Sequence, residues 1–121
     1  MYKVITYHDR NGNDEVATYI RELNVKMATS KDARIHYDKI MKYIGYLKTY
    51  GLAVGMPTIK HINETELWEL RPIDDRIFFV YWKDDTFVLL HHFVKKSQKT
   101  PRREIEQANR NLKDFLERYG D

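Results

Sequence analysis

Residues Glu66–Phe93 read ELWELRPIDDRIFFVYWKDDTFVLLHHF, and the breaks in this stretch decide the fold. Pro72-Ile73-Asp74-Asp75 interrupts the first apolar run and Lys83-Asp84-Asp85 the second. The spacing predicts three strands, Glu66–Arg71, Arg76–Trp82 and Phe87–Phe93, joined by short turns into an antiparallel meander. In the middle strand Phe78, Val80 and Trp82 fall on one face and Ile77, Phe79 and Tyr81 on the other, so both faces are apolar. A strand covered on both sides is a central strand. In its neighbour Glu69 and Arg71 share one face while Trp68 and Leu70 share the opposite one. Polar groups are therefore expected to collect on one sheet face, near the strand ends.

Upstream, Tyr2–Tyr7 is a strand candidate closed by the turn signal Asp9-Arg10-Asn11-Gly12-Asn13. A helix is expected from Asn13 or Asp14, with Val16, Ile20, Leu23 and Met27 at helical spacing. A second starts at Ser30, a good N-cap, places Ala33, Tyr37, Ile40, Ile44 and Leu47 on one face, and ends at Gly51. Gly45 costs that helix about 1 kcal/mol, so periodicity has to outweigh propensity. The two helices would form an antiparallel hairpin. Leu52–Asn63 reads as a loop or a short irregular edge. A last helix opens at Thr100-Pro101, Thr as N-cap and Pro at the first helical position, with Ile105, Ala108, Leu112, Phe115 and Tyr119 as its apolar stripe. The expected order is β-α-α-β-β-β-α, an α+β domain with helices packed on an antiparallel sheet.

A chain of 121 residues is most simply one domain spanning 1–121. With 42% hydrophobic and 32% charged residues it is expected to fold rather than stay disordered. The absence of cysteine excludes disulfides, a thiolate metal site and a cysteine nucleophile. No run approaches the roughly 20 apolar residues of a membrane span and no signal peptide is evident, so the default expectation is a cytoplasmic protein. The histidines lack a partner at i,i+4 and no Gly-rich phosphate loop is present, so neither a metal nor a cofactor is expected.

The net charge of +3 permits a polyanionic partner without demanding one. Its distribution says more. Asn63–Asp75 holds five acids against Arg71 alone. Five cations then follow within nine residues, Lys95, Lys96, Lys99, Arg102 and Arg103, with no acid among them. Fixed positive charge at the end of a rigid strand suits phosphate, although a basic run in a loop is often only a solvated surface. The polarity suggests two partners, one anionic and one basic. Lys60 and His61 either reach a substrate or belong to a plain surface loop. His91 and His92 point to opposite faces of a strand, so one of them is expected to be a core histidine with its hydrogen bonds satisfied. Arg102 and Arg103, with Arg110, Lys113 and Arg118, either extend an RNA-binding surface or only solubilise a helix.

The segments LWELRP (Leu67–Pro72), RIFFVYW (Arg76–Trp82) and LLHHFVKKSQKTPRREIEQA (Leu89–Ala108) resemble the HigB-like branch of the RelE/ParE toxin superfamily. The last is the most specific: His-Phe, two lysines, then Lys-Thr-Pro opening a helix. The order of elements matches over nearly the whole chain and the motifs over its C-terminal half.

The resemblance implies the RelE-like microbial ribonuclease fold and the toxin of a type II toxin–antitoxin pair. It implies a ribosome-dependent mRNA endonuclease that needs no metal, inhibits translation, and is held in a hetero-oligomer by a helix-turn-helix antitoxin of the HigA type. In such cleavage the ribose 2′-hydroxyl attacks the phosphate, which calls for a base, cations around the crowded phosphorus and an acid for the 5′-oxygen. The matching positions are Arg71 and Arg76 on adjacent strands and Lys95-Lys96 at the strand end, with His92 as the candidate acid or base because imidazole titrates near neutrality. Lys60, His61, Lys99, Arg102 and Arg103 are the candidate substrate contacts. Arg71 has Glu69 or Asp75 as alternative ion-pair partners, and Arg76 has Asp74 or Asp75. The RelE type places a catalytic tyrosine after the basic strand end; the only tyrosine there in this chain is Tyr119, on the apolar stripe of the last helix. Two other readings stay open: a ParE-like gyrase inhibitor, and an inert phage-derived binding module of the same fold.

Overall fold

The computed structural model describes residues 1–121. The chain runs β1 (Lys3–Thr6), α1 (Glu15–Lys26), α2 (Lys31–Tyr50), a short 3-10 turn at Gly51–Val54, β2 (Ile59–His61), β3 (Trp68–Leu70), β4 (Asp75–Tyr81), β5 (Thr86–Val94) and α3 (Arg102–Tyr119). The strands form one sheet in the order β1-β5-β4-β3-β2, so the strand with two apolar faces, β4, is central as its sequence required. Ile77, Phe79, Phe87 and Leu89 pack under the helical hairpin with Ile40, Ile44 and Leu47. Phe78, Val80, Val88, Leu90 and Phe93 pack under α3 with Ala108, Leu112 and Phe115. The sheet therefore has a hairpin face and an α3 face, each with its own core. No helix is long and apolar enough to cross a membrane.

The helix starts follow local chemistry. The Asp14 side chain accepts from Ala17 N at 2.9 Å and the Ser30 hydroxyl from Ala33 N at 3.1 Å. Thr100 does not cap α3: Pro101 holds the cap position without a side-chain hydrogen bond, and the Thr100 hydroxyl donates to Glu69 instead, at 3.2 Å.

Two features differ from the sequence expectation. The sheet is mixed, because β1 pairs in parallel with β5 (Lys3 opposite Thr86, Thr6 opposite Leu89). The helical hairpin carries the chain across a whole sheet face, from β1 at one edge to β2 at the other, and the meander then returns β5 alongside β1. The segment read as a loop or edge supplies the strand β2, with Ile59 buried opposite Leu70. Lys60 and His61 therefore sit on a sheet edge and not in a loop.

The β4–β5 pair contains a bulge. Phe79 is opposite Leu89 and Phe78 opposite His91, which leaves Leu90 without a partner. Asn111 on α3 satisfies the freed Leu90 carbonyl, donating from Nδ2 at 2.8 Å, and is itself held by Gln107 at 2.9 Å. The extra residue reverses the alternation of everything after it. Leu90 and His91 both face α3, His92 faces the hairpin, and Phe93 faces α3 again.

Candidate active site

Glu69, 1% exposed, is the buried centre of a cationic cluster on the α3 face. Its pairing with Phe78 and Lys60 puts it on the same side as Arg76, and Arg71 follows two residues later on β3's extension. Glu69 Oε1 lies 3.5 Å from Arg71 Nε and 3.8 Å from Arg76 Nε, and Oε2 accepts from Thr100. Both Nε atoms are buried without a geometrically good hydrogen bond. Arg76 spends one terminal nitrogen on the carbonyls of Ile73 (2.7 Å) and Asp75 (2.9 Å). Its other terminal nitrogen and both of those on Arg71 make no hydrogen bond within the protein, leaving donors suited to phosphate oxygens. Ile73 itself has φ +54°, an uncommon conformation for a β-branched residue, so Arg76 also fastens a strained turn beside the cluster.

Lys95 completes the group. Its backbone N–H donates to Asp74 O at 2.8 Å, which continues the β4–β5 ladder one step past Val94. Burial holds its pKa below the usual lysine range; Glu69 opposes that, while Arg76, Arg71 and Lys60 push it down further. Burial, aided by Arg71, likewise lowers the pKa of Arg76. Four cations thus surround one carboxylate.

His92 is not among them. By strict alternation from Val88 and Leu90 it would face α3 beside Arg76; the bulge turns it to the hairpin face and brings Lys95 into the cluster in its place. There His92 Nε2 lies 2.8 Å from Asp75, and its ring stacks on Tyr19 with centroids 3.7 Å apart. Asp75, 1% exposed, also accepts from Tyr19 (2.7 Å) and bonds His36 Nδ1 (2.9 Å). Burial raises the Asp75 pKa, but the hydrogen bonds from His92, His36 and Tyr19 outweigh it and hold the carboxyl below its usual range. The Asp75 carboxylate is therefore not the ion-pair partner of Arg71 or Arg76; that of Glu69 is.

His91 is the satisfied histidine expected of the pair, with Nδ1 on Glu15 of α1 and Nε2 on Glu104 of α3 at 2.8 Å. Lys60 shares the cluster's face, whereas His61 lies on the other, bonded to Thr65 O (2.8 Å) and packed on Trp68. Lys96, Lys99 and Arg102 are exposed and their side chains make no ion pair or hydrogen bond; Arg103 reaches Glu104 at 3.7 Å. The site residue that sequence reading missed is Glu69. Its signal was the Glu-x-Arg spacing of Glu69 and Arg71, which puts both side chains on one strand face.

Residues 18–113 match the family model described as Phage derived protein Gp49-like (DUF891). The chain belongs to this family. The match begins inside α1 and runs into α3, so every candidate site residue lies within it. No curated protein matches the chain. The Gp49-like family is RelE/toxin-like, its members are often the toxins of toxin–antitoxin systems, and such toxins usually pair with an antitoxin.

Proposed function

We propose that this Gp49-like protein is a HigB-type toxin that cleaves mRNA on the ribosome and is neutralised by a helix-turn-helix antitoxin. The observation that carries the reading is the convergence of Arg71, Arg76 and Lys95, with free donors, around the buried Glu69. Lys95, with its lowered pKa, takes the proton from the ribose 2′-hydroxyl as that oxygen attacks phosphorus. Arg71 and Arg76 bind the non-bridging oxygens, whose charge grows in the transition state. The P–O5′ bond breaks, the Lys60 ammonium donates a proton to the departing oxygen, and a 2′,3′-cyclic phosphate remains. Glu69 is a positioning residue that holds both guanidinium groups. Arg102 and Arg103 sit in the first turn of α3, where the helix dipole disfavours cations and where no side chain caps the N–H groups. That placement favours flanking phosphates as their ligands, with Lys96 and Lys99 alongside.

The test uses purified protein, programmed ribosomes and EDTA. Wild type yields fragments with cyclic-phosphate ends, and Arg76→Ala and Lys95→Ala, folded by circular dichroism, lose about 100-fold or more in rate. Lys96→Ala, on the other side of the alternation, loses much less. Normal growth arrest and cleavage by Arg76→Ala and Lys95→Ala would sink the assignment. DNA breaks on induction, in place of truncated transcripts, would point to gyrase.

A further inference from the structure

From Lys39 to Asn63 the chain carries Lys39, Lys42, Lys48 and Lys60 and not one Asp or Glu. Much of this charge lies along one flank of α2. Lys39, Tyr43, Tyr46 and Tyr50 succeed each other at four-, three- and four-residue steps, a single stripe on the helix. Lys39 Nζ sits 5.9 Å from the Tyr43 ring centre and Lys42 Nζ 5.9 Å from that of Tyr46. The rings of Tyr43 and Tyr46 are 6.0 Å apart at 30°, those of Tyr46 and Tyr50 6.4 Å apart at 49°. Tyr50 is 56% exposed.

Lysine over tyrosine at i,i+4 modestly stabilises any helix, and that alone would explain the pairs. It does not explain the missing acids. A merely solvated helix face mixes both signs of charge. Here the acids stop at Asp32 and Asp38, before the stripe, and resume at Glu64 and Glu66 in the β2–β3 turn. Graded aromatic rings flanked by unopposed lysines are what a single-stranded nucleic acid needs, bases on the rings and phosphates on the ammonium groups.

The stripe lies over the same core as the sheet edge that borders the candidate active site. Tyr43 and Trp68 pack on the same hairpin-face core, and Trp68 carries His61, with ring centres 5.0 Å apart. The preceding residue, Lys60, faces the Arg71–Arg76–Lys95 cluster across the edge strand. We propose that single-stranded RNA leaving the cluster crosses the β2 edge between Lys60 and His61 and stacks on the Lys–Tyr stripe of α2. This track rests on the nuclease reading for its starting point, but not for its existence.

The test is fluorescence anisotropy with a labelled, uncleavable 12-nucleotide 2′-O-methyl RNA. Wild type should bind it. Tyr46→Ala and Tyr50→Ala should each weaken binding roughly tenfold, while Tyr50→Phe, which keeps the ring, should not. Lys39→Gln with Lys42→Gln should reduce the slope of log affinity against log salt by about 1.4, the value for two phosphates on a single strand. Unchanged affinity and slope in these variants, no binding by wild type, or equal losses on duplex RNA would each overturn the track. Loss of self-association in sedimentation with RNA binding intact would assign the stripe to a second copy and overturn it too. If stripe variants lose RNA affinity while wild type cleaves nothing on ribosomes, the track holds and the nuclease reading fails.

Discussion

Glu69 puts two demands on the same carboxylate. It compensates the buried guanidinium groups of Arg71 and Arg76, and its negative charge raises the pKa of Lys95 against the burial and cations that lower it. Glu69→Gln removes both effects. Stability should fall by about 2 kcal/mol, because two buried cations lose their counter-charge; a urea titration measures this. The Lys95 pKa should fall further, so that the pH at which cleavage switches on moves down. A pH–rate profile whose acid limb stays in place or moves up would exclude Lys95 as the base. Residue chemistry was legible in the sequence up to this point: the cation types and the shared face of Glu69 and Arg71 follow from a period of two. Which of His92 and Lys95 joins them was not, because that depends on the unpartnered Leu90, and a bulge inside a continuous apolar run leaves no mark in composition or spacing.

At the scale of elements, the join between α2 and the sheet depends on one glycine. Gly51 ends α2 with φ +58°, and a Cβ there would lie 2.7 Å from the ring of Tyr2, next to β1. Tyr2 N in turn donates to Lys48 O at 2.8 Å, which ties the edge strand to the helix end. Gly51→Ala should cost about 1–3 kcal/mol from backbone strain and the displaced ring, read as a lower thermal midpoint. Helix boundaries were legible because capping is local: Asp14, Ser30 and Gly51 act on residues within four positions. The parallel pairing of β1 with β5 was not, since nothing near Lys3–Thr6 records which of its neighbours returns some eighty residues later. The three-residue β2 is shorter than any periodicity can reveal.

Across the whole molecule, two carboxylate–imidazole groups bind the layers together. His91 faces Glu15 from α1 and Glu104 from α3, amid Phe78 and Phe93. Burial lowers its pKa but those two carboxylates raise it more. His36 of α2 is raised chiefly by its hydrogen bond to Asp75 of β4, with Asp32 and Asp74 adding to it. Groups raised above their unfolded value of about 6.5 contribute stability that is fully present below that pH and is lost as pH rises through the folded value. Urea midpoints should therefore fall from pH 6 to pH 9, and His91→Gln should flatten the difference. A midpoint independent of pH over that window would refute the charged clasp. At this scale the α+β class and the central place of β4 could be read from apolar patterning, whereas two networks whose side-chain bonds join residues up to 76 positions apart could not.

The bulge at Leu90 also has a genetic analogue. A strand is read in twos, so one extra residue would do to its side chains what a frameshift does to codons; the bulge takes Leu90 out of the count and keeps every later residue in frame with β4. Deleting Leu90 should remove the bulge without moving the frame, because Leu89 then runs straight into His91 opposite Phe78 and Lys95 stays in the cluster, so cleavage per folded molecule should persist. Inserting one residue between Val94 and Lys95, by contrast, should turn Lys95 away from the cluster and abolish cleavage, and deleting Leu90 as well should not restore it. An insertion variant that cleaves normally would show that Lys95's side of the sheet is immaterial. Homologous chains compared through this region should therefore be aligned by strand parity, not by the lysines alone.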